Sequence, residues 1–70
     1  MIPLSLANEG EERIIAKIGG NSEIKQHLEN LGFVVGGTVA VVSMLNGNII
    51  ANVKDTRVAI SKEMAQKIMV

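Results

Sequence analysis

The chain has no cysteine, one proline, one histidine and one aromatic residue among its 70 residues. Without cysteine it has neither a disulfide staple nor a thiolate zinc cluster, two common supports of domains this small. With Phe33 as its sole aromatic it lacks the stacking platforms that hold single-stranded nucleic acid. Seven basic residues against seven acidic ones leave no net charge and no basic face for a duplex, so no nucleic-acid partner is expected. No apolar run approaches the about 20 residues of a membrane span, and Met1–Leu6 lacks both the charged start and the apolar length of a secretory signal. The expectation is a cytoplasmic chain without direct membrane insertion. One His, one Asp and scattered serines assemble no nucleophile with an adjacent base, so no enzyme is expected.

What is present is aliphatic: 47% of the residues are hydrophobic, and the core must be made of Val, Ile, Leu, Met and Ala. Glu12 to Ile18 alternates, with Ile14, Ala16 and Ile18 on one face and Arg13, Ile15 and Lys17 on the other, which predicts a first strand. Asn21 or Ser22 then caps a helix running to Asn30 or Leu31, with Ile24, Leu28 and Leu31 as its buried stripe. Thr38 to Leu45 is apolar at nearly every position, which predicts a strand covered on both faces. Asn46-Gly47 is a strong hairpin signal, because both central residues of a type I′ turn need positive φ. Its partner strand, Asn48 to Lys54, puts Ile49, Ala51 and Val53 on one face. After a reversal at Lys54-Asp55-Thr56, Arg57 to Ile60 makes another strand with Val58 and Ile60 inward. Ser61 caps a last helix, Lys62 to Ile68, and Met69-Val70 adds a short strand. So small a sheet protects its edges best by curling up, so the expected fold is a single mainly β domain over residues 1–70. It is a small β-barrel with one helix inserted after the first strand and a short C-terminal helix.

The stretch Gly32-Phe33-Val34-Val35-Gly36-Gly37-Thr38 copies the glycine spacing of a phosphate-binding loop, but Thr38 stands where the lysine belongs. Order decides against it. A phosphate loop runs from strand into helix, so that free N–H groups meet the anion, whereas here a helix enters and a strand leaves. Gly32 therefore reads as the left-handed residue closing a helix, with Phe33 folding back on the last turn. Gly19-Gly20-Asn21-Ser22 has the right order but no basic residue, and reads as a turn and cap.

Glu23 and His27 lie one turn apart on the helix and are the candidate metal ligands, set against the plainer reading of an exposed polar stripe with Asn30. Glu9, Glu11 and Glu12 offer oxygen donors or a solvated surface. The Thr38–Leu45 strand raises the main question, because a barrel has one interior and the strand has two apolar faces. The outward set Thr38, Ala40, Val42 and Met44, or its alternate, lies under the helices or against another protein, with Ile15 and Ile50 pointing outward beside it. Phe33, Val35, Val42, Met44 and Ile50 are the expected partner-binding residues. A homodimer through an apolar strand edge is a further expectation.

Read in order, these segments resemble the FeoA family. The resemblance rests on Leu4-Ser5-Leu6 with Gly10, on Leu28-x-x-Leu31-Gly32-Phe33 followed by Gly36 and Thr38-Val39, and on Val58-Ala59-Ile60 with Glu63-x-Ala65-x-x-Ile68-x-Val70. Val35 stands where the family usually has proline, and Asp55-Thr56 where it commonly has glycine. The resemblance implies an SH3-like barrel, also found as the C-terminal domain of iron-dependent repressors. It implies a cytosolic regulatory accessory of FeoB, the membrane ferrous-iron transporter with a cytosolic GTPase domain, requiring no cofactor. Through the repressor kinship it also implies the alternative of a sensing domain that binds a divalent transition metal such as Fe2+, Zn2+ or Mn2+.

Overall fold

The computed structural model describes residues 1–70. A 3-10 turn at Leu4–Leu6 leads into β1 (Glu12–Ile14) and β2 (Lys17–Ile18), then α1 (Ser22–Leu31). The strands β3 (Thr38–Leu45), β4 (Asn48–Val53) and β5 (Thr56–Ser61) follow, then α2 (Lys62–Ala65) and β6 (Ile68–Met69). One sheet has the order β1-β3-β4-β5 and a second pairs β2 with β6, all antiparallel. The fold is mainly β, as expected, with one helix before β3 and a short one before β6.

The expected first strand is in fact two. Glu12–Ile14 pairs with β3, and Lys17–Ile18 pairs with β6 in the other sheet. At the corner Ile15 N–H donates to Gly37 O at 2.9 Å and Ala16 N–H to Met69 O at 2.8 Å, so the chain changes partners within one residue. Ile15, expected to point outward, is 1% exposed and Ile14 62%, while Ile18 is buried. Ile14 and Ile15 still alternate on the β3 side, and alternation fails after them, where Ala16 and Lys17 are both exposed before Ile18 is buried.

Helix α1 has both ends that its sequence specifies. The Asn21 side chain accepts from Ile24 N–H at 2.9 Å. At the other end Gly32 adopts φ 108° and donates to Glu29 O, while Phe33 N–H donates to Leu28 O at 2.9 Å. This is the Schellman arrangement, in which a residue in the left-handed region lets two orphan carbonyls find donors. Leu28 and Phe33 enter the core fully buried, with Ile24 and Leu31 packed partly against it. Burial of Phe33 corrects its assignment as a partner contact: as the only aromatic it is the largest fully buried side chain.

The β3–β4 hairpin turns at Asn46 (φ 50°) and Gly47 (φ 82°) as its sequence predicts. The next hairpin turns at Lys54 (φ 50°) and Asp55 (φ 60°), a left-handed pair built without glycine. Ser61 Oγ accepts from Met64 N–H at 3.2 Å, capping α2 as expected. The helix stops at Ala65, three residues short of the expected end, because Ile68 and Met69 pair with Ile18 and Lys17. The strand falls on Ile68–Met69, not Met69-Val70. Beside it Ile2 and Val70 exchange N–H···O bonds of 2.8 and 2.7 Å. Pro3 bridges Met69 at the next position, which in this alternation needs no N–H.

Candidate docking surface

Most glycine amides of the two glycine-rich stretches are spent within the fold. Gly36 N–H is spent on Ile15 O and Gly37 N–H on Val34 O, in addition to the cap bonds of Gly32 and Phe33. In the other loop Gly19 N–H donates to Lys67 O at 2.7 Å, and the Asn21 side chain occupies Ile24 N–H. Both loops are turns, and neither carries a basic residue to hold an anion.

Glu23 and His27 are exposed on α1, away from the buried Leu28. No group of three His, Cys, Asp or Glu side chains converges anywhere in the chain. A closed metal site needs more ligands than this pair supplies. The acidic run does not gather either. Glu11 pairs with Arg13 at 2.7 Å, Glu12 lies in β1, and Glu9 bridges to β3. Arg13 sits opposite the buried Val39, so its stem lies against the barrel and its Nε is buried without a partner, while its end reaches Glu11.

The apolar surplus of β3 is offered at one end of the strand. The register shifts between Val41 and Ser43, where the extra residue Val42 makes a bulge. Beyond it the alternation is reset: Met44 lies opposite the buried Ile49 and Leu45 opposite Asn48. Opposed residues of an antiparallel pair point to the same side. Met44 is therefore on the row of the barrel interior at its open end, and Ile50, opposite Ser43, is on the other face. The five residues expected to form one surface are thus dispersed. Val42 and Ile50 are half-buried, and Val35 is exposed beside a different hollow of about 390 Å³ between α1 and the loop after it, with Ile18, Lys25, Glu29 and Val34.

Met44 instead joins Leu6 of the 3-10 turn and its own neighbour Leu45. A groove of about 290 Å³ runs between the β3–β4 hairpin and the 3-10 turn, walled by Leu6, Met44, Leu45 and Ile49. Leu6 is 67% exposed, Leu45 60% and Met44 46%, whereas Leu4 and Ser5 of the same turn are buried and anchor it. Lys62, the one charged residue of the lining, closes the groove, and its N–H donates to Gly47 O at 3.0 Å. The surface is a mobile thioether and two leucines with one cation at the rim, suited to an apolar side chain of another protein. Leu6 could have been found from the sequence as an apolar residue in a turn too short to bury it. Leu45 could not, because the bulge that exposes it leaves no local signal.

No helix is long and apolar enough to cross a membrane.

A family model described as the FeoA domain matches residues 2–70. A protein of Methanocaldococcus jannaschii named "Putative Fe(2+) transport protein A" is 39% identical over 70 residues, covering 100% of this chain and 85% of that one. The crystal structure of an iron uptake regulatory protein, FeoA, superposes with a TM-score of 0.91 at 35% identity, over 99% of this chain and 92% of the other. The FeoA of Stenotrophomonas maltophilia, solved in complex with zinc and described as an SH3 domain protein, gives 0.85 at 24% identity over 100% and 89%. ScaR with bound Zn2+ gives 0.86 at 23% identity, over 97% of this chain and 35% of ScaR. The last two likenesses speak to the fold.

Proposed function

The chain belongs to the FeoA family, and from that premise we propose that it is a small cytoplasmic regulatory module, not an enzyme, that binds the FeoB transporter and modulates its activity. The groove of Leu6, Met44, Leu45 and Lys62 is the docking site in this reading. It is supported by the family, whose members named above bear names of iron transport and uptake, and by exposed Leu6 of the 3-10 turn meeting exposed Met44 and Leu45 of β3 at one hollow. An isolated apolar residue on a surface needs no explanation, but three sharing a concave site favour a partner's side chain. Docking changes the transporter only insofar as it favours one of its conformations over another. Capture of the chain by the cytosolic region of FeoB tests this. Met44→Asp and Leu45→Asp, both at exposed positions, are expected to abolish capture while leaving the fold intact. Undiminished capture by both folded variants would remove the groove from the account.

The second reading is a domain that senses a divalent transition metal. It draws on the zinc in the two relatives' structures and on Glu23 and His27, one turn apart and exposed. Because the chain gathers no third ligand, the remaining donors would come from water or a partner. Zn2+ titrated while the His27 ring resonances are followed tests it: specific shifts lost in Glu23→Gln support it, and unmoved resonances at saturating metal oppose it.

A further inference from the structure

We propose that the free edge of β5 pairs with β5 of a second copy of the chain, antiparallel about a two-fold axis at Ala59. β5 ends the order of its sheet, with β4 as its only neighbour. The ladder between them fixes which backbone groups are spent. Lys62 N–H donates to Gly47 O, and antiparallel ladders alternate between hydrogen-bonded and non-hydrogen-bonded pairs. Counting back along the register, Ile60, Val58 and Thr56 bond to β4. Arg57 and Ala59 then turn their N–H and C=O groups away from it, and Ser61 its N–H. No turn, loop or cap bond of the backbone uses Arg57, Ala59 or Ser61, and all three residues are exposed. Such an edge is normally blunted by charged side chains, proline, a bulge or a covering element, and here Arg57 is the single charge, at one end. Between Arg57 and Ser61 there is no lysine, no proline and no shift of register.

The occupant is a second copy because the pairing is self-complementary, as a two-fold interface requires. With Ala59 on the axis, its N–H donates to the Ala59 C=O of the second copy and the reverse holds. Each Ser61 N–H donates to the Arg57 C=O of the other copy. Val58 faces Ile60 on the inner row, and the small Ala59 side chains meet on the outer row, each beside the Ile50 of its own copy. The charges fit as well. The two Arg57 guanidiniums are held at opposite ends, each running toward the segment of the other copy that carries the exposed Glu63. Lys62 lines the groove on the hairpin side, away from the pair. Two four-stranded sheets become one continuous sheet with β1 at both ends, and the groove stays open.

Sedimentation equilibrium of the full chain up to about 1 mM, combined with amide hydrogen exchange, tests the pairing. A concentration-dependent dimer is expected, in which the Ala59 amide becomes protected as the dimer fills. Ala59→Pro removes that donor at an edge position where proline is tolerated, and Ala59→Lys sets like charges on the axis. Each variant that circular dichroism shows to be folded is expected to associate at least about tenfold more weakly, a difference of about 1.4 kcal/mol. A chain that stays monomeric over the whole range overturns the proposal. So does a dimer that the folded variants keep, or one whose Ala59 amide exchanges freely.

Discussion

Replacing Phe33 by alanine separates a core residue from a contact residue. The ring is 0% exposed and is seated by the Schellman bond from its N–H to Leu28 O, so its neighbours are held by the helix end and close only partly on a void. Truncations of this kind cost about 3–5 kcal/mol, the lost transfer energy plus the cavity left behind. Domains carry about 0.05–0.15 kcal/mol of stability per residue, so 70 residues have about 4–10 kcal/mol to lose. The change therefore removes a third or more of the total and lowers the melting temperature by about 12–40 °C, at 4–8 °C per kcal/mol. Urea titration followed by circular dichroism measures it, with Phe33→Leu as the milder comparison. The refuting result is a loss below about 1 kcal/mol together with loss of FeoB capture, which would return Phe33 to the surface.

Other substitutions follow the same logic. Ile15→Lys is expected to unfold the chain, while Ile14→Lys one position away stays within about 0.5 kcal/mol of the parent in the same titration. Gly32→Ala meets nothing nearer than Val53 Cγ1 at 3.5 Å, so its cost is that of the left-handed backbone alone, about 1–2 kcal/mol by thermal melting. Asn21→Ala removes the cap of α1 and costs about 1 kcal/mol, whereas Asn21→Ser keeps most of it. Asp55→Gly relieves φ 60° at the second hairpin and should stabilise the chain by about 1 kcal/mol; a destabilised variant would mean that the turn is held by the aspartate itself.

The parts of the fold that were legible in the sequence are those written in adjacent residues. The caps at Asn21 and Ser61, the closing Gly32-Phe33 and the Asn46-Gly47 turn each depend on a side chain or a φ angle that one residue type supplies. Ile14 and Ile15 are the opposite case. Nothing in Arg13-Ile14-Ile15-Ala16 says which isoleucine is inward, because the answer lies in pairing with Thr38 and Gly37, far along the chain. The overlong α2 has the same cause: the helical spacing of Ala65 and Ile68 is real, but pairing with β2 takes Ile68 for a strand. At the groove, Met44 was legible as a surplus apolar residue of β3. Leu45 was not, because the bulge at Val42 displaces the alternation by one and is visible only in the pairing with β4.

The docking claim is tested most directly by titrating the unlabelled cytosolic region of FeoB into the isotope-labelled chain and following its amide resonances. Shifts concentrated at Leu6, Met44 to Asn48 and Lys62, with Glu23 and His27 unmoved, are predicted. Shifts confined to α1 and the Val34–Val35 loop, with the hairpin silent, would contradict it.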